Sequence, residues 1–146
     1  NHKDPRSLKL LKQLFAKEDS TELKKQIVFA MYLSDMDEAI KEIIAIAKKD
    51  ESSAVRKQAI FWLGQKATVE STEALKDFVE LDEDVEVKKQ AVFAISQLPK
   101  EKAVPMLIDI ARSNKSPKVR KNAMFWLGQK DSDEALKFFE EILLKK

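Results

Sequence analysis

The residues with chemistry to offer fall into rows spaced 32 residues apart. Lys24, Arg56, Lys88 and Arg120 form one basic row, and Lys25, Lys57, Lys89 and Lys121 run beside it. Glu18, Asp50, Asp82 and Asn114 form a row of acceptors a short way upstream. Ammonium and guanidinium groups facing carboxylates make charge-assisted hydrogen bonds, which suits the first and third rows to bonds between neighbouring segments. The same basic residues, left unpaired, would make a phosphate track, with Lys25, Lys57, Lys89 and Lys121 as its core. Lysines at a helix start oppose its dipole slightly, so helix stability alone does not explain their spacing. A fourth row, Phe29, Phe61, Phe93 and Phe125, keeps the same period. Facing water, it would be an aromatic ridge that marks a contact site. Laid over by lysine stems and neighbouring helices, it would be ordinary packing. The sequence leaves both readings open.

Chemistry beyond binding has little to work with. The one histidine, His2, lies ahead of the repeated region, so no histidine-based triad or multi-histidine metal site can be built within it. Cysteine is absent, which excludes disulfides, thiolate metal sites and a cysteine nucleophile. Two glycines cannot supply a glycine-rich phosphate loop. The reading is a non-enzyme without a cofactor. The net charge of +2, from 27 basic and 25 acidic residues, creates no global field to attract nucleic acid. With 44% hydrophobic and 36% charged residues, the composition is that of a helical protein with a charged surface. No apolar run approaches the roughly 18 residues needed to cross a bilayer, so no membrane insertion is expected. Nothing in the composition assigns a compartment.

The elements that position these rows come from one stretch written four times. Val55-Arg-Lys-Gln-Ala-Ile-Phe-Trp-Leu-Gly-Gln65 recurs from Leu23, from Val87 and from Val119. Self-similarity at a fixed period of this size signals a repeat array. At about 100° per residue, Val55, Ala59, Trp62 and Leu63 share one helical face, with Ile60 beside them, and are expected to be core. The alternation Ala30, Trp62, Ala94, Trp126 sets a small side chain against a large one in successive layers, which reads as packing.

Behind each such helix A comes a short turn and a second helix B. Ala39, Ala103 and Ala135 open equivalent B helices, whereas Ala74 arrives three residues late, which suggests a compensated slip and a shorter helix. Pro105 is expected in the first turn of its helix, and Ser7, Ser71 and Ser132 are expected as N-caps. Residues 1–6 read as a polar lead-in and residues 7–17 as a lone B helix. Units follow at about 21–49, 53–81, 85–113 and 117–145, giving an all-α solenoid of about nine helices within 7–146. The lone B helix is either a cap or the cut end of a longer array. Leu10 and Leu14, otherwise without partners on one side, favour the longer array.

The pattern Val-Arg-x-x-Ala-x-x-x-Leu-Gly at 55–64 and 119–128, with Ala103-Val-Pro-Met-Leu-Ile108, resembles the HEAT repeats. It is similar to short bacterial HEAT-like repeats, including those related to phycobilisome lyases. The resemblance covers about 8–146 and implies a ladder of aspartate–arginine bonds between units. It also implies a scaffold that binds a protein or peptide, with B helices lining the concave side. Trp62 and Trp126 depart from the family's usual alanine. HEAT-like hydroxylases carry His-Glu pairs that this chain lacks, and HEAT-like glycosylases a basic aromatic groove.

On the B helices the outward row is read as Ala45, Glu80, Asp109 and Glu141, turning acidic toward the C-terminus. Lys41, Lys76 and Lys137 flank it on one side, and Glu42, Asp77, Met106 and Phe138 on the other. Met106 and Phe138, expected to be exposed within a polar rim, are the candidate anchors for a basic, partly apolar segment. Glu80, Asp109, Glu141, Met106 and Phe138 are therefore the first candidate site. The phenylalanine row is the second, and the lysine track of a nucleic-acid binder the third. An accessory role beside an enzyme, lyase-like, would need a pocket that the sequence does not reveal.

Overall fold

The computed structural model describes residues 4–145; His2, the rest of residues 1–3, and Lys146 lie outside it. Among the described residues nine helices follow in order: α1 (Pro5–Lys17), α2 (Thr21–Leu33), α3 (Asp37–Lys49), α4 (Ser53–Lys66), α5 (Val69–Leu81), α6 (Val85–Ser96), α7 (Lys100–Ser113), α8 (Pro117–Gly128) and α9 (Asp133–Leu144). The A helices α2, α4, α6 and α8 form one layer and the B helices the other. Within the A layer each helix packs closely on the next, whereas the B helices approach one another less closely.

Local signals start each helix. Ser20, Ser52, Ser116 and Ser132 accept a backbone N–H three residues on, satisfying donors that the first turn leaves open. Asp4 caps α1, which begins at Pro5 and not after Ser7. Arg6 donates to the Asp4 carboxylate from its side chain and its backbone, holding that carboxyl below the usual carboxylate range. Depressed in this way, the group favours the fold at neutral pH, and that contribution is lost as pH falls through the folded-state pKa.

The slip inferred for the second unit does not exist. α3 and α5 each have 13 residues and begin at Asp37 and Val69, one full period apart. Ser71 occupies the place of Ala39, Ala103 and Ala135, fully buried inside α5, and Thr68 is the N-cap instead. A small hydroxyl replaces a methyl there and bonds back to the Thr68 carbonyl, so composition concealed the register. The equivalent of Asp109 and Glu141 is consequently Asp77, not Glu80. Pro105 also lies further in than expected, in the second turn of α7. It is exposed, so the carbonyl it leaves unpaired is open to water.

The break residues bind the units together. Glu18, Asp50, Asp82 and Asn114 each accept the backbone N–H two residues on, at 2.9–3.0 Å. The other carboxylate oxygens of Asp50 and Asp82 reach the basic row of the preceding A helix: Lys24 on α2 to Asp50 at 3.0 Å and Arg56 on α4 to Asp82 at 3.2 Å. Arg56 also donates to the Asp50 carbonyl, and Arg120 to that of Asn114. Lys24, Arg56 and Arg120 are thus structural, as the packing reading had it.

Close packing in the A layer rests on small side chains. A Cβ on Gly64 would lie 2.9 Å from the Ala94 Cβ of α6. Gly128, two periods on, meets nothing within 4 Å. The same substitution should therefore have opposite signs at the two sites. Gly64→Ala is expected to destabilise by about 1 kcal/mol, overpacking outweighing the helix propensity of alanine. Gly128→Ala should be neutral or stabilising by up to about 0.5–1 kcal/mol. Urea denaturation of the pair checks this.

Candidate binding surfaces on the two helix layers

The B-layer candidates do not form one site. Phe138 is buried, at 4% exposure, against the expectation that it would face solvent. The Arg112 guanidinium lies 5.2 Å from its ring centroid and bonds to Glu141 at 3.1 Å, so Phe138 is roofed by an ion pair. The helical wheel gave its direction but not the reach of an arginine from α7. Met106 is half-buried and lies in a separate groove of about 280 Å³ between α5 and α7, with Lys76, Glu80, Asp109, Ile110 and Ser113. Glu80 and Asp109 are thus brought together, Glu80 also accepting from Asn114 at 3.4 Å. Glu141 stands apart.

The A layer is different. Trp62, expected in the core, is only partly buried, and so is Trp126. The Trp62 ring lies 4.9 Å from Phe29, 4.4 Å from Tyr32 and 4.9 Å from Phe61, the last edge-on at 81°. Between α2 and α4 opens a cleft of about 450 Å³ lined by Glu22, Lys25, Gln26, Phe29, Gln58 and Trp62. Phe29 is 36% exposed and Phe125 56%, while Phe61 and Phe93 are half-buried. The phenylalanine row is therefore a ridge that thins in the middle, neither wholly exposed nor covered.

The lysine row is partly engaged. Lys25 pairs with Glu22 at 3.4 Å and Lys89 with Glu86 at 3.7 Å. Such exposed pairs contribute little and yield readily to another anion. Glutamates beside alternate lysines make a poor continuous phosphate track, however. Gln26, Gln58 and Trp62 join the site without a place among the candidates that the sequence offers. The available signal was that tryptophan recurs every 64 residues and not every 32.

Among the described residues no group of three or more His, Cys, Asp or Glu side chains is placed to hold a metal ion. No helix among the described residues is long and apolar enough to cross a membrane.

Stacked antiparallel helix pairs at a constant period, cross-linked through their inter-unit breaks, define an α-solenoid. The family model for HEAT repeats matches residues 40–115 and, overlapping, 72–146. The chain belongs to the HEAT-repeat family. No curated protein matches it.

Proposed function

We propose that this solenoid is a non-catalytic protein-interaction module whose working surface is the A layer. One observation carries the choice: aromatic side chains at successive units stand partly exposed around a cleft that also holds a lysine and two carboxamides. Aromatic anchors within a polar rim supply most of the energy at protein interfaces. The buried Phe138 removes the paired anchor on which the B row depended, leaving the Met106 groove as the competing surface.

The test is a peptide selected for binding from a random display library, measured against two sets of variants. Phe29→Ser with Phe125→Ser should weaken it by about thirtyfold, the equivalent of roughly 2 kcal/mol. Met106→Ala with Asp109→Asn should change it by less than about twofold. The opposite ranking, with all variants folded, would move the site to the B layer. A preference for single-stranded oligonucleotide over any peptide, lost over several decades with added salt, would point to nucleic acid instead.

A further inference from the structure

The two ends of the array carry opposite charge. α1 holds Arg6, Lys9, Lys12 and Lys17 and no acidic residue, whereas α9 holds Asp133, Glu134, Glu140 and Glu141 against one lysine, Lys137. Both helices also leave leucines in the open. Leu14 is 57% exposed, although Ile46, Phe78 and Ile110 at the same place in later B helices are buried. Leu136 is 60% exposed, although Leu8, Ile40 and Val104 at its place in earlier ones are buried. Positions that serve as core inside the array are thus uncovered at each end.

The α5–α7 junction shows which way these residues face. There Thr72, Lys76 and Glu80 of α5 look forward along the array, and Met106 and Ile110 of α7 look back. Leu136, Glu140 and Leu144 hold the places of the first three, so they face past the C-terminal end. Leu10 and Leu14 hold the places of the other two, so they face out from the N-terminal end. We infer that a second copy of this chain covers each end, α9 of one copy docking head-to-tail on α1 of the next. At the α5–α7 register, Leu136 and Leu144 fall against Leu10 and Leu14, with Asp133 and Glu140 beside Arg6 and Lys9.

Charge selects this pairing over the symmetric ones. Lys12 and Glu141 pair inward along the array, with Glu42 and Arg112, and Arg6 is held by Asp4. Lys9, Lys17, Asp133 and Glu140 make no ion pair among the described residues, so their charges are open to another copy. Opposite signs draw unlike ends together, while α1 on α1 or α9 on α9 sets like charges face to face. A head-to-tail contact does not close on itself in a dimer, so it continues into longer oligomers. α1 enters the array without an A helix before it, so the junction runs through the B layer alone. That limits its area and keeps it weak. The α2–α4 cleft stays open in every copy, so the contact is independent of the A-layer ligand.

Sedimentation equilibrium of the whole chain from about 10 µM to about 1 mM covers the range in which so small a contact associates. In about 50 mM salt the average mass should climb past that of a dimer, and association should weaken at least about fivefold in about 500 mM salt. Leu10→Gln with Leu14→Gln spoils one end, and Leu136→Gln with Leu144→Gln the other. All four leucines are exposed, so both variants should keep the wild-type helicity. Each variant alone should stay monomeric. A one-to-one mixture should associate but stop at the dimer, because a single intact junction remains. A wild-type chain that is monomeric throughout the range overturns the head-to-tail contact and leaves both ends to further units of a longer array. A dimer that either variant still forms alone marks a symmetric interface and overturns it too, as does a mixture that fails to associate. Association indifferent to salt, or abolished by Phe29→Ser with Phe125→Ser, also contradicts it. None of these outcomes bears on peptide binding by the A layer.

Discussion

Leu63→Ala is expected to lower the unfolding free energy by about 3–5 kcal/mol, the upper part of the range for a buried leucine. Leu63 is fully buried in α4, which packs against A helices on both sides and against α3 and α5. Its loss leaves a cavity that Gly64, already closed onto Ala94, cannot relax to fill. The same truncation at Leu8, in the first helix, should cost only about 1–2 kcal/mol, because an end element can readjust. In a one-dimensional array the damage should also be local. Hydrogen exchange should show protection falling first in α3, α4 and α5, before α8 and α9. Uniform loss of protection along the chain would contradict nearest-neighbour stabilisation.

Asp82→Ala should cost about 2–4 kcal/mol, nearly as much as a core cavity. The carboxylate is 8% exposed and serves two units at once, accepting from Arg56 and from the Asp84 backbone. Removing it leaves the Arg56 guanidinium, itself only 15% exposed, without its charged partner. Asp82→Asn keeps an acceptor for the Asp84 N–H and should recover part of the loss. The Lys66–Asp35 pair is the contrast: Asp35 is 68% exposed, and Asp35→Ala should change stability by less than about 0.5 kcal/mol. Urea denaturation of the three variants gives the ranking. An Asp82→Ala protein as stable as the wild type would leave the inter-unit bonds without energetic weight.

Much of the fold was written in the period itself. Val55, Val87 and Val119 announce the A helices and are buried where the pattern placed them. Ser71 hides the register because the position demands only a small side chain, not an alanine. Phe138 misled for a different reason. A helical wheel assigns directions within one helix, and the group that covers Phe138 comes from Arg112 on the preceding B helix. The A-layer cleft is half visible in the sequence. The row of phenylalanines is plain, but the alternation of Trp62 and Trp126 with Ala30 and Ala94 reads as interior packing. A tryptophan on a packed face still exposes ring area when its neighbour layer carries phenylalanine and glutamine, which the spacing of one helix cannot reveal.

The most direct test of the A layer as the working surface is a two-dimensional amide correlation spectrum recorded while a bound peptide is added. The protein's two indole N–H signals, from Trp62 and Trp126, are resolved from the backbone and need only assignment by the single Trp→Phe variants. The account predicts that both indole signals move, together with backbone amides of Lys25, Gln26, Gln58, Lys89 and Asn122. Met106, Asp109 and Ser113 should stay in place. Shifts concentrated at those last three residues, with both indole signals unmoved, would contradict it.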